Sequence, residues 1–403
     1  MPRTNHPWVC CQLGSREHYA IPRVLHKQGR LKLLLTDFWA REPTALNAFV
    51  PAALARVAER RHPGLAGARI LQWGTGRIAF DMRTRQLSSW EQTLRRNERF
   101  QQVLLRRLRP HRKALAAEPG TFFAYSYAAR ELLRFFSELG WRTVLGQIDP
   151  GPREEEIVAA EVRANPQRET RWTPAPPLYW EHWREEIALA HRVIVNSPWS
   201  REALVEKGVN AQKIDVVPLA YEAPAEPAGE KSLPEAFTAE RPLRVLYLGQ
   251  INIRKGAHRL MEAMRCLAGK PVELHLVGPA DITLPESSEL PRVKVHGPVS
   301  RQQAVRHYRE ADVFILPTLS DGFALTQLEA QAHRLPLITS ARCGAVVRPG
   351  ENGLLAEPPT RDNLIEALES CLAEPARLAE WSRASGIDGQ FSLAALSRTL
   401  GSY

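Results

Sequence analysis

No stretch of the 403 residues runs to about 18 apolar residues without interruption, the length a helix needs to cross a bilayer. The start also lacks a charged segment followed by an apolar core and a cleavage site, so neither a spanning helix nor a signal peptide is expected and the chain reads as cytoplasmic. Cysteine is sparse. Cys10, Cys11, Cys266, Cys343 and Cys371 are an odd, scattered set without the paired spacing of a zinc site or a disulfide framework, which fits reduced, buried thiols and no bound metal. Acidic residues are scarce in the first 150 positions, 11 against 25 Lys and Arg, whereas residues 151–403 hold 33 against 29. The net charge of +10 therefore belongs to the first half.

Within residues 94–113 there are eight Lys or Arg and one acid, Glu98, with Phe100, Val103, Leu104 and Leu108 at helical spacing. This predicts a basic amphipathic helix. Its ordinary role is a solvated face with an apolar stripe on the core. Contact with an anionic membrane surface or a phosphorylated acceptor is the functional alternative. No recognised nucleic-acid-binding module accompanies the charge, so nucleic acid is not an expected partner.

A chain of 403 residues suits two domains of about 150–200 residues. Short apolar runs at 8–13, 31–36, 121–125, 143–147 and 192–195 alternate with amphipathic stretches such as 128–139 and 180–190, the pattern of a parallel, doubly wound sheet. Residues 221–242 are rich in Pro, Ala and Glu without apolar periodicity and read as a linker. The alternation then restarts, with strands at 243–248, 272–277, 293–296, 313–317 and 336–339 and helices at 257–267, 301–311 and 324–333. The expected organisation is α/β: an N-terminal Rossmann-like domain over 1–220 for an acceptor, the linker, a C-terminal Rossmann-like domain over 243–385 for a nucleotide, and a last helix within 386–403 packing back on the first domain.

Two stretches of the second half carry chemistry. Gly249-Gln250-Ile251-Asn252-Ile253-Arg254-Lys255-Gly256 follows an apolar strand and precedes a helix. Adjacent cations and free backbone N–H groups at a helix start suit a phosphate, although a solvated Arg-Lys pair would look the same. Asp321-Gly322-Phe323-Ala324-Leu325-Thr326-Gln327-Leu328-Glu329 sets two carboxylates eight residues apart. On one helix they would share a face two turns apart and could accept hydroxyl hydrogen bonds from different parts of an elongated sugar-bearing ligand. The plainer alternative is a capping Asp and a solvated Glu. Gly74-Thr75-Gly76-Arg77-Ile78-Ala79 fits a dinucleotide fingerprint, but no strand ending in an acid follows about 20 residues later. Trp172, Tyr179, Trp180 and Trp183 are expected to pack a core or to stack on a sugar, and His18 is a candidate acceptor contact.

Together, residues 245–256, residues 316–332 and residues 336–357 with Cys343-Gly344 and Gly350-Glu351-Asn352-Gly353-Leu354 resemble the retaining glycosyltransferases of family 4, whose GT-B fold sets two Rossmann-like domains across a cleft. The N-terminal match is thinner and rests on Gly14, residues 193–197 and residues 213–218. The resemblance implies a hexosyltransferase that moves a sugar from a nucleotide-sugar donor to a glycan, lipid-linked or small-molecule acceptor. It implies no metal ion and no further cofactor. By it, Lys255 and Arg254 hold the donor diphosphate near Gly249, and Glu329 takes the ribose. Asp321 with Gly322, Phe323, Ala324 and Leu325 receives the transferred sugar, and Gly14 lets the N-terminal backbone approach the phosphates.

Three positions depart from the family. Gln250 replaces the usual Arg, Asp321 replaces the usual Glu, and Gln147 stands where many members have His, so Gln147 with Asp149 takes the place of that catalytic group. Members without a protein nucleophile are described as using front-face attack. A catalytically silent nucleotide-sugar binder and another GT-B enzyme such as an epimerase are the competing functions.

Overall fold

Buried parallel strands appear in sequence as short continuous apolar runs, since both of their faces are covered. The computed structural model describes residues 6–40, 60–223, 229–284, 286 and 288–403, and its strands form two sheets in chain order. The first is parallel and seven-stranded, in the order β3-β2-β1-β4-β5-β6-β7. Its strands are β1 (Trp8–Gln12), β2 (Leu31–Thr36), β3 (Ile70–Gln72), β4 (Thr121–Tyr125), β5 (Arg142–Gln147), β6 (Arg192–Val195) and β7 (Ile214–Val216). The second has six parallel strands in the order β10-β9-β8-β11-β12-β13. They are β8 (Leu243–Leu248), β9 (Val272–Val277), β10 (Val293–Gly297), β11 (Val313–Leu316), β12 (Leu337–Thr339) and β13 (Gly353–Leu355). In both sheets the strand order reverses beside the first strand, which opens a crevice at the carboxyl ends of β1/β4 and of β8/β11. This is the two-domain Rossmann-like α/β architecture.

Each sheet is sealed by its own apolar layer. Phe122, Phe136, Leu145 and Val193 are buried on one side of the first sheet, and Leu246, Leu274, Phe314 and Leu337 belong to the core of the second. Each fully buried side chain of this kind contributes roughly 1.5–3 kcal/mol relative to exposure. The last helix, Leu393–Leu400, crosses back to the first sheet's layer. Leu396 and Leu400 join a cluster with Trp8, Ile21 and Leu25, Gln28 Nε2 donates to Ser397 Oγ at 2.7 Å, and Arg30 Nη1 donates to the Leu400 carbonyl at 3.0 Å.

The two layers meet through charged and close backbone contacts. Glu161, on the helix Pro152–Ala164, accepts from Arg259 Nε at 2.8 Å and Nη2 at 2.5 Å, and pairs with His258 Nε2 at 2.6 Å. Burial alone would raise the Glu161 carboxyl, but the hydrogen bonds from His258 and Arg259 outweigh it and hold the group at about 2. Trp199 Nε1 donates to Ser320 Oγ at 3.1 Å. Gly322 sits so close to β5 that a Cβ there would lie 2.2 Å from the Ile148 carbonyl oxygen.

Two sequence expectations are corrected. The basic segment is not one helix: Ser89–Leu108 ends before Pro110, a 3-10 turn follows at Arg109–His111, and Arg112–Ala117 resumes, as a proline without an N–H demands. Phe100, Leu104 and Leu108 are buried in the core, so its exposed face is mainly basic, with Arg99, Arg106, Arg107, Arg109, Arg112 and Lys113 outnumbering the exposed Glu98. Likewise Asp321 and Glu329 do not share a helix. The helix spans only Thr326–Ala332, because Ala324 adopts φ 65° and leaves 321–325 as a loop. Among the described residues, no helix is long and apolar enough to cross a membrane.

Candidate active site

The loop after β8 is pressed against the end of β11. Gly256 has φ 70°, and a Cβ there would lie 1.9 Å from the Pro317 carbonyl oxygen, so only glycine permits this approach. The Leu319 N–H donates to the Arg254 carbonyl at 2.8 Å, and Asn252 Oδ1 accepts from the Lys255 N–H at 2.9 Å. This places Arg254 and Lys255 immediately before the helix Ala257–Cys266, where the helix dipole favours an anion. Gln250 remains exposed on the rim.

The Lys255 ammonium pairs with Asp321 Oδ2. Arg254 Nη1 lies 3.6 Å from the same oxygen and 3.6 Å from Glu154 Oε2 of the first domain. Burial, reinforced by the adjacent Arg254 guanidinium, pulls Lys255 down to about 7. Burial also pushes Glu154 up to about 7 against the pull of Arg254. Asp321 Oδ1 also accepts a long 3.4 Å bond from the Phe323 N–H, and Gly344 clears the Phe323 ring, which a Cβ would meet at 2.6 Å.

Glu329 lies in a different part of the cleft. It accepts from the Tyr308 hydroxyl at 2.7 Å and lines a cavity of about 260 Å³ with Glu17, His18, Tyr221, Arg301 and Leu325. His18 reaches across the domains to Arg301 Nη2 at 2.9 Å. It belongs to three successive non-glycine residues, Glu17, His18 and Tyr19, all at positive φ of 49–60°. Such backbone costs on the order of 1–2 kcal/mol per residue and collects at functional loops. The sequence signals neither this strain nor the roles of Glu154, Arg301 and Tyr308.

On the N-terminal side two of the sequence candidates turn inward. Gln147 is 1% exposed, and its amide is fully engaged. Nε2 donates to the Tyr127 hydroxyl at 2.9 Å and to Asp149 Oδ1 at 2.9 Å, while Oε1 accepts from Trp183 Nε1 at 3.0 Å. It braces Tyr127 and Asp149 from within the first domain. Gly14, at φ 79°, donates its N–H to Asp37 Oδ1 at 2.9 Å, so that donor is already committed within the first domain. Trp183 is core, and Glu186, pushed up to about 7 by burial, ties down the segment before the helix Arg130–Glu138 by accepting from the Tyr127 and Ala129 N–H groups at 2.6 and 2.7 Å. A second cavity of about 90 Å³ opens at the carboxyl ends of β1, β4 and β5, lined by Gln12, Arg16, Arg96, Tyr125, Tyr179 and Ile148. Arg96 Nε and Nη2 both donate to Asn97 Oδ1 at 3.2 Å.

Residues 242–374 match the family model described as Glycosyl transferases group 1. Among curated proteins the chain is 28% identical over 227 residues to a D-inositol 3-phosphate glycosyltransferase of Rhodococcus jostii, covering 51% of this chain and 50% of that protein. It is 23% identical over 182 residues to an uncharacterized 41.2 kDa protein in the cps region of Klebsiella pneumoniae, covering 44% and 51%. The chain spans about half the length of the curated relatives it matches. Solved structures align over nearly the whole chain. Sucrose-phosphate synthase from Thermosynechococcus elongatus aligns with TM-score 0.63, 17% identity and 98% of each chain covered. Anabaena Alr3699/HepE in complex with UDP aligns with TM-score 0.60, 14% identity and 98% of each chain covered. The fold is thus that of the GT-B glycosyltransferases, and its second half is similar in sequence to glycosyl transferases group 1.

Proposed function

We propose that the chain is a retaining, metal-independent glycosyltransferase that moves a hexosyl group from a nucleoside-diphosphate sugar to a hydroxyl of an anionic acceptor. The observation that supports this most is the buried pairing of Lys255 and Arg254 with Asp321 at the switch point of the second sheet, facing β5 of the first. In the loaded enzyme the diphosphate takes the two cations and the helix N-terminus, which frees Asp321 to hold hydroxyls of the sugar. Glu329 takes the ribose. Family likeness supports the donor class, since Alr3699/HepE is described with UDP and with UDP-glucose.

The acceptor fits the second cavity, where Arg16 and Arg96 stand among tyrosines and suit a phosphate or carboxylate. The curated relatives named for D-inositol 3-phosphate are consistent with that charge. Transfer then proceeds on one face of the sugar. The bond from the anomeric carbon to the leaving phosphate breaks as the acceptor oxygen bonds to the same face, and a leaving-phosphate oxygen takes the acceptor's proton. Arg254, Lys255 and the helix dipole stabilise the charge that develops on the diphosphate.

The test is to incubate the chelator-treated protein with a panel of nucleotide sugars and phosphorylated cyclitol or sugar acceptors, and to assign the product's anomeric configuration by NMR. A product with the donor's configuration, formed without metal, supports the reading. An inverted anomer, or turnover only with added magnesium or manganese, overturns it.

A further inference from the structure

A strand covered on both faces of a parallel sheet normally reads as an almost unbroken apolar run, but β9 reads Val-Glu-Leu-His-Leu-Val. Its alternate residues Glu273 and His275 share a face with Lys294 and His296 of the edge strand β10, whose register sets Lys294 beside His275. The helix Arg301–Glu310 lies across this face and contributes His307, which is 5% exposed. Three histidines from three elements therefore converge, each with a ring nitrogen within 4.8 Å of the others.

We propose that His275, His296 and His307 bind one divalent first-row transition ion, zinc by its ligand chemistry, and so tie β9 and β10 to the helix above them. His275 Nδ1 and His296 Nε2 lie 3.0 Å apart. Two nitrogens on a tetrahedral zinc lie about 3.3 Å apart, given bonds of about 2.0–2.1 Å, so that pair needs to open by only a few tenths of an ångström. The orientation of His275 is set from behind. Glu273 Oε1 pairs with its Nε2 at 2.8 Å, which fixes the tautomer and leaves the Nδ1 lone pair for a metal, the carboxylate–histidine arrangement that supports bound zinc. Lys294 Nζ, 2.7 Å from Glu273 Oε2, holds the carboxylate in turn. His296 is exposed, which leaves a fourth position to water.

This site is separate from the transfer chemistry, and its failure would leave the proposed function untouched. The helix it anchors nevertheless has two sides: residues next to and near His307 on the same helix, Tyr308 and Arg301, contact Glu329 and His18 in the nucleotide cavity.

The experiment uses the full-length, tag-free chain, stripped with chelator and desalted. Zinc alone is titrated by calorimetry, and cobalt is added separately to read the visible absorption of a tetrahedral ion. One equivalent per chain, a tetrahedral cobalt spectrum and a zinc-dependent rise in Tm are expected. His296→Ala, at an exposed position, should abolish all three while keeping the wild-type circular dichroism, and Glu273→Gln should weaken zinc by about 10–100-fold. Cys266→Ser, which removes the exposed thiol, should bind as wild type does. No stoichiometric zinc binding by the wild-type chain, or equal binding by His296→Ala, would overturn the proposal and leave the three rings as a stacked packing cluster.

Discussion

Lys255 and Asp321, 66 positions apart in sequence, form a buried ion pair where the loop after β8 meets the loop after β11. The pair links a cation suited to a diphosphate to a carboxylate suited to sugar hydroxyls. With Asp321 removed, Lys255 keeps Arg254 and Glu154 as its charged neighbours, so the cation remains in place for a diphosphate.

The affinity for a nucleoside diphosphate should fall as pH rises above about 7. Lys255 is held at about 7 in the free protein, and a bound anion raises that value. The favourable charge is therefore complete below pH 7 and is lost as the ammonium deprotonates. Glu154, also at about 7, becomes anionic over the same window and acts with the same sign. Calorimetry in buffers of different ionisation enthalpy should show proton uptake on binding near pH 8. An affinity flat from pH 6 to pH 9 would contradict the assignment.

The two carboxylates should separate kinetically. Glu329 stands beside Tyr308 in the larger cavity, and a ribose contact acts equally in the ground and transition states, so Glu329→Gln should chiefly raise KM. Asp321 lies at the proposed reacting sugar, where a displacement of about 1 Å can cost on the order of 100-fold in rate. Asp321→Asn should lower kcat while free-nucleotide affinity changes little. Initial rates across donor concentrations distinguish the two, and a reversed pattern would overturn the division.

Strand positions were largely legible. Residues 31–36, 121–125, 192–195, 243–248 and 272–277 are strands over those bounds, because buried parallel strands are apolar runs with sharp polar ends. The three-residue edge strands β3, β7 and β13 were not, since three residues show no periodicity. The helix Pro152–Ala164 gives little signal in the sequence: Val158 is its one buried residue, and it meets the second domain through half-buried Ile157 and Val162 together with ion pairs. At the site, composition and spacing pointed to Lys255 and Asp321 separately, but only the strand order brings them together. The eight-residue interval to Glu329 reflected a loop followed by a short helix, with the turn made at Ala324.

Glu161 should hold the two domains together in a pH-dependent way. Its carboxyl is held at about 2 against a usual 4.5, so its contribution is complete above about 4.5 and is lost as pH falls toward 2. Glu161→Gln should lower unfolding stability by roughly 2 kcal/mol at pH 7, and the difference from wild type should shrink at pH 3. Thermal unfolding at the two pH values measures this. An equal deficit at both would assign the effect to packing.

The exposed arginines of the segment after Ser89 should draw the protein to anionic surfaces by charge alone, because Phe100, Leu104 and Leu108 are committed to the core. Replacing Arg106, Arg107, Arg109 and Arg112 with Gln should reduce sedimentation with phosphatidylserine vesicles, and the wild-type binding should vanish in high salt. Equal sedimentation of both forms would leave the face as solvated surface.

The most direct test of the donor site is calorimetric titration of UDP, with ADP and GDP alongside, into the chelator-treated wild-type protein and Lys255→Ala. Metal-independent binding of at least one nucleotide by the wild type is expected. The variant should lose roughly 30–100-fold in affinity, as for truncating a hydrogen bond to a charged group worth about 2–3 kcal/mol, with the fold retained by circular dichroism. Undiminished affinity in a folded Lys255→Ala protein would contradict it.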